Sequence, residues 1–355
     1  MMASGVFDHP WLGGLFGDAA MAEIWSPERQ LAQMLAFERA WSGARGACGL
    51  SDPALAGQAQ AAIDAARIVP EDLRAGMARD GVPVPALVKR LRADQPEDVS
   101  AAIHTGATSQ DVLDTALALS LRDSSDLIAA RLEGLSAALA ALEARFGAQP
   151  LMGRTRMQAA TEITVADRVE TWRLPLLAHL ERLTHLRPRV ERVQLGGASG
   201  DRAALSGQGQ PMADHVAAAL GLSSAAQAWH AMRDGVADYA GWLSLITGTL
   251  GKAGQDIALM AQQGIGEIAL TGGGGSSAMP HKQNPVQAEL LVTLARFNAT
   301  QLAGMHQALV HEQERSGAAW SLEWMILPQM AQATGRALSV AQALIGQVER
   351  IGTPG

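Results

Sequence analysis

A single cysteine, Cys48, stands in a chain of 355 residues, so no disulfide can form within it. Covalent bridges are thereby excluded as a source of stability, and the expected setting is a reducing cytoplasm. Cys48 itself reads as a small buried hydrophobe. Long apolar runs are missing too. The stretch 239–250 is interrupted by Gly and Ser and falls well short of the ~20 residues that span a bilayer, so no membrane role is expected. The first ten residues lack the basic and apolar regions of a secretory leader. Basic clusters are absent as well. The formal net charge is −7, no Lys/Arg stripe follows a face, and no nucleic-acid partner is expected. The nine histidines are scattered, with no i, i+4 pair beside a carboxylate. His311 with Glu312 and Glu314 comes nearest to a metal-binding pattern and reads as a solvated face, so neither a metal nor a cofactor is expected.

What remains is an ordinary soluble composition, 48% hydrophobic and 18% charged. Ala and Leu dominate, β-branched residues are sparse, and long stretches run without Pro, which predicts an all-α fold. Between 114 and 149, Leu117, Leu121, Ile128, Leu132, Leu135, Leu139 and Leu142 recur at three-, four- or seven-residue steps, one apolar stripe along a long helix. Gly147 and Pro150 stop it. Further long helices are expected over 162–186, with a kink at Pro175, and over 232–263, 285–311 and 322–348. Helices this long predict an elongated bundle whose outer faces meet other subunits. Shorter patterns at 27–48 and 53–66, broken by Pro and Gly, suggest a small N-terminal helical domain over 1–100, with the long-helix bundle occupying 101–355.

Chemistry on such a scaffold belongs in loops at helix ends, and three polar segments qualify. The first, 104–111, reads His-Thr-Gly-Ala-Thr-Ser-Gln-Asp. It precedes a helix N-terminus, which attracts anions, although Ser109 or Asp111 could simply cap the helix. The second, 153–158, carries Arg154 and Arg156, whose guanidinium forks suit a carboxylate but would also suit a solvated turn. The third is the glycine-rich stretch 271–284. It is no phosphate loop, because Lys282 lies seven residues beyond Gly275 and no strand is expected before it. Its Met-Pro-His-Lys run is poor linker material.

These three segments, in this order on an all-helical chain, resemble the signature regions of the fumarase/aspartase superfamily. The segment 275–285, Gly-Ser-Ser-Ala-Met-Pro-His-Lys-Gln-Asn-Pro, is similar to the superfamily's signature loop, and the resemblance spans roughly 5–345. It implies a homotetramer whose active sites combine loops from different subunits, acting on a small tricarboxylate. It also implies that the usual small C-terminal domain is missing or reduced. Within the superfamily, the stretches 83–88, 229–234 and 311–315, followed by Trp320, Glu323 and Trp324, are most similar to the carboxymuconate cycloisomerase branch. The family's pattern carries over onto Ser276 as the group exchanging a proton with carbon. Lys282 and Asn284 would stabilise the enolate-like carboxylate. The substrate-binding set would be His104, Thr108, Ser109, Arg154, Thr155, Arg156, Gln158, Ser277, Met279 and Arg315.

Position 156 departs from the pattern. Many superfamily lyases hold a histidine there to protonate the leaving group, whereas this chain has Arg156. Where the group that adds or leaves is the substrate's own carboxylate, no acid is required, because a carboxylate is stable unprotonated near neutral pH. A cation serves better there, and Arg156 is expected to orient a carboxylate. Two other readings stay open. One is a fumarate-releasing lyase of the adenylosuccinate type, with His104 or His230 standing in as the acid; the other is a non-catalytic helical structural protein.

Overall fold

The structure is a computed structural model that describes residues 5–272, 274–275, 279 and 283–353. Seven helices of modest length come first: α1 (Gly13–Phe16), α2 (Ala19–Ile24), α3 (Pro27–Ala47), α4 (Pro53–Ala65), α5 (Arg74–Asp80), α6 (Val84–Arg92) and α7 (Glu97–Ala102). The bundle follows as α8 (Ser109–Phe146), α9 (Val165–Val190), α11 (Asp234–Met260), α12 (Val286–Gln307) and α13 (Ala318–Gly346), with a shorter α10 (Gly209–Leu220) between α9 and α11. The expected all-α architecture is present. Among the described residues, no helix is long and apolar enough to cross a membrane.

The 38 residues of α8 extend about 57 Å at 1.5 Å per residue. Leu121, Ile128, Leu132, Leu135, Leu139 and Leu142 all lie buried along it, the stripe anticipated from their spacing. Each such side chain contributes roughly 1.5–3 kcal/mol by leaving water. The helix begins earlier than the spacing suggested, and Thr108 rather than Ser109 is its N-cap. Asp111, in the first turn, accepts the Thr108 N–H at 3.0 Å.

One correction concerns residues 150–164, expected as a loop running into a helix at 162. They form an antiparallel hairpin of β1 (Pro150–Thr155) and β2 (Gln158–Thr164), with Thr155 paired to Gln158. Thr155, Thr161, Ile163 and Thr164 are β-branched and favour extended backbone. Thr164 then caps α9: its hydroxyl accepts the Asp167 N–H at 3.2 Å while Asp167 accepts the Thr164 N–H at 2.8 Å. That reciprocal pair places the helix start at Val165. α9 then runs to Val190 with Pro175 and Pro188 inside it. A second two-stranded sheet joins β3 (Ile268–Leu270) to β4 (Val348–Ile351).

Two apolar cores result. The larger fills the bundle, from Leu121 on α8 to Leu344 on α13. The other gathers Leu31, Phe37 and Trp41 of α3, Leu87 and Leu91 of α6 and Val112 of α8. It also takes in Val193, Leu195, Leu205 and Met212, which lie beyond residue 100. The long helices alternate in direction. Consequently the start of α8, the start of α11 and the segment 308–317 meet at one end, while the hairpin and the stretch 261–272 lie at the other.

Candidate active site

At the first end, α3 grips the segment 104–107 from one side. Glu38 Oε1 stands 2.6 Å from His104 Nδ1, and Trp41 Nε1 and Arg45 Nη1 both donate to the Thr105 carbonyl, at 3.1 and 2.8 Å. These three lie on one face of α3 at i, i+3 and i+7. His104 takes a positive φ of 62°, a conformation that a non-glycine residue holds only when its surroundings impose it.

Asp111 is buried and anchors the turn. Its carboxylate accepts the N–H of Thr108, Gly196 at 2.8 Å and Gly197 at 3.0 Å, and it also meets His230 Nε2 at 2.9 Å. A Cβ at Gly196 would come within 2.6 Å of Ala228 and 2.7 Å of His230, so only glycine admits this approach. The glycine-rich run 195–200, not anticipated as part of the site, thus packs against the start of α8. Its legible signal is Gly-Gly-Ala-Ser-Gly.

One turn further on, Asp114 is also buried and takes donors from Gln110, Gln194, Trp320 and both terminal nitrogens of Arg233. The same guanidinium forks onto Glu323. Burying a charge without a partner is costly, and here one arginine is the shared counter-ion of two carboxylates, held in a fixed plane. His311 lies beside this group, with Nε2 at 4.0 Å from Glu323 Oε1. Burial and the neighbouring Arg233 push its pKa below the usual range. Gln110, held by Asp114, accepts in turn from Arg315 Nε at 2.8 Å, so Arg315 is placed against the first turn of α8. Asp114, Arg233 and Glu323 are positioning residues absent from the expected site. The stretches 229–234 and 320–324 had marked a resemblance without showing that they pack together.

At the other end, Arg154 pairs with Glu267 at 2.6 Å, and Thr155 and Gln158 close the hairpin. Arg156 and Met157 form its exposed tip with φ of 48° and 68°. With Arg168 and Lys252 they line a cavity of about 500 Å³. Lys252 pairs with Asp256, whereas Arg156 has no ion pair among the described residues. Asn284 exchanges backbone hydrogen bonds with Gly274, both at 3.0 Å, closing the base of the third segment. Met279 is exposed. Ser276, Ser277 and Lys282 lie outside the described residues.

One chain therefore brings His104, Thr108, Ser109 and Arg315 together at one end, and Arg154, Thr155, Arg156, Gln158 and Asn284 at the other. The length of α8 separates the two groups. Among the described residues, no three His, Cys, Asp or Glu side chains converge as a metal site.

The family model described as Lyase matches residues 62–323. A curated relative, 3-carboxy-cis,cis-muconate cycloisomerase of Pseudomonas putida, is 37% identical over 341 residues, 94% of this chain and 81% of that protein. The protein of the same name from Pseudomonas aeruginosa is 37% identical over 340 residues, 94% of this chain and 74% of that protein. Among solved structures, the 3-carboxy-cis,cis-muconate lactonizing enzyme from Pseudomonas putida superposes with a TM-score of 0.89 at 36% identity, covering 96% of this chain and 77% of that one. The chain belongs to this lyase family, the fumarase/aspartase superfamily.

Proposed function

We propose that the chain is a lactonising cycloisomerase that interconverts 3-carboxy-cis,cis-muconate and 4-carboxymuconolactone, a step of protocatechuate degradation. The observation that carries this reading is the 37% identity to a cycloisomerase over 94% of the chain. The placement of Arg156 at an exposed tip, with no ion pair among the described residues, supports it chemically.

In the lactonising direction a substrate carboxylate oxygen bonds to a ring-closing carbon. The displaced electron pair moves onto the neighbouring carboxylate, and the resulting dianion takes a proton on carbon. Ser276 delivers that proton. Lys282 and Asn284 stabilise the dianion, the kind of preorganised donors that usually supply the largest catalytic effect. Arg156 orients the attacking carboxylate, while Thr108, Ser109 and Arg315 hold another carboxyl group. No bond to nitrogen breaks, so no acid is needed at position 156.

Because the two groups lie at opposite ends of α8, a helix about 57 Å long, a site holding both draws on more than one copy of the chain. We infer a homotetramer with shared sites. An ultraviolet assay should show turnover of 3-carboxy-cis,cis-muconate and none of adenylosuccinate; the reverse result, or no turnover of either, overturns the reading. Ser276→Ala should lower kcat by about 100- to 1,000-fold. Ser109→Ala and Arg156→Ala proteins, each strongly impaired, should regain activity when unfolded and refolded together. Failure to do so would refute the sharing.

A further inference from the structure

Two cations near the start of α8 take no part in the chemistry above. Lys89 and Arg92 lie one turn apart at the end of α6. With Pro85, Val88, His104 and Ser109 they wall a cavity of about 640 Å³. No carboxylate lines it. Arg92 is fixed by its Nη2 donating to the Ile103 carbonyl at 2.7 Å, and its Nε is buried without a partner. That bond holds the guanidinium against the residue just before His104. His104 is pinned in turn through Nδ1 to Glu38, which leaves Nε2 as its other polar edge. Ser109 opens α8, where first-turn N–H groups lack intrahelical acceptors and the helix dipole favours negative charge. One fixed guanidinium, one exposed ammonium, a hydroxyl and a helix start, around a cavity that no carboxylate lines, form a receptor for an anion.

We propose that Lys89 and Arg92 form a carboxylate subsite that, with Ser109, receives the carboxyl group distinguishing a tricarboxylate from a dicarboxylate. The inference rests on the proposed function in so far as the substrate carries that third group. A tricarboxylate brings three negative charges. Arg156 and the Lys282 segment account for two of them at the hairpin end, and the third falls to the Ser109 end. There Arg315 alone would face it without Lys89 and Arg92. Cations in the last turn of a helix also complement its own dipole, and that role would alter stability without altering selectivity.

The test compares wild type, Lys89→Met and Arg92→Lys. It measures kcat and KM with 3-carboxy-cis,cis-muconate, and calorimetric affinities for propane-1,2,3-tricarboxylate and glutarate. Lys89 is exposed, so its replacement leaves folding intact even if Arg92→Lys disturbs the bond to Ile103. A hydrogen-bonded charge typically gives a ten- to hundredfold effect, so Lys89→Met should raise KM about tenfold while kcat stays within about twofold. The preference for the tricarboxylate over glutarate should fall by a similar factor. An unchanged preference, or equal weakening of both ligands, overturns the subsite. If wild type binds the tricarboxylate in a Lys89-dependent way yet turns over no muconate, the subsite stands and the proposed function falls. Muconate turnover with a Lys89-independent preference gives the converse.

Discussion

At the Ser109 end of the bundle, Thr108, Gln110 and Arg315 are each tied to a buried partner, whereas at the hairpin end Arg156 and Met157 stand in solvent at the tip of a two-stranded ribbon. The first group owes its geometry to its own chain. Asp111 and Asp114 collect donors from four separate segments, and the low-dielectric surroundings make each of those bonds hard to lose. At the hairpin tip the backbone path is fixed while the Arg156 and Met157 side chains stay exposed. On the proposed sharing, one end is preorganised by the chain's own core and the other by assembly, two different solutions to holding a charge.

The sharpest way to break that comparison is Arg233→Met. It leaves Asp114 and Glu323 buried without their counter-ion, so the unfolding free energy in urea should fall by about 3–5 kcal/mol. A loss under about 1 kcal/mol would show that the buried network does not hold that end. Arg156→Ala should do the opposite. We expect kcat to drop about 100- to 1,000-fold while stability stays within about 0.5 kcal/mol, read from the same urea curves alongside steady-state kinetics. A stability loss comparable to that of Arg233→Met would erase the distinction.

Acid gives a third comparison. Burial lowers the pKa of His311 at the Ser109 end, and burial with Arg182 nearby lowers that of mid-bundle His179 to about 4. In the unfolded chain both titrate near ~6.5. Above that pH neither costs stability. As pH falls below it the unfolded state takes up protons that the folded state refuses, so stability declines, for His179 until about pH 4. That contribution is on the order of 3 kcal/mol in full. Unfolding at pH 7.5 and 5.0 should show a smaller acid loss in His179→Gln and His311→Asn, and an unaltered one in Arg156→Ala. Equal acid losses in all four proteins would remove the histidines from the account. The smallest expected effect is at the hairpin tip. Met157→Gly relieves a left-handed φ of 68° and should raise stability by up to about 1 kcal/mol. Unchanged activity would mark the strain as structural; a fall would tie it to substrate positioning.

The α8 stripe could be read in advance because its partners are a few residues apart and a helix repeats every 3.6. The three polar segments were legible for a similar reason, each being local. The hairpin was not, because strands of six and seven residues are too short to stand out against helix-rich flanks. Nor was the Asp114–Arg233–Glu323 group, whose members lie 119 and 90 residues apart and meet only once the bundle has closed. Asp111 was visible as a cap candidate. Its bonds to Gly196 and Gly197 depend on a chain reversal that no short window contains.

The length of α8 has a metrological consequence. On the proposed sharing, this helix is a ruler that sets how far apart one chain can serve two places. A seven-residue deletion within it would keep the leucine stripe nearly in phase, drifting by only about 20°, and would shorten the span by about 10 Å. Such a chain could still pack its core and yet miss its neighbours at one end. On that sharing, the interior of α8 is constrained in its count of turns as well as in its side chains.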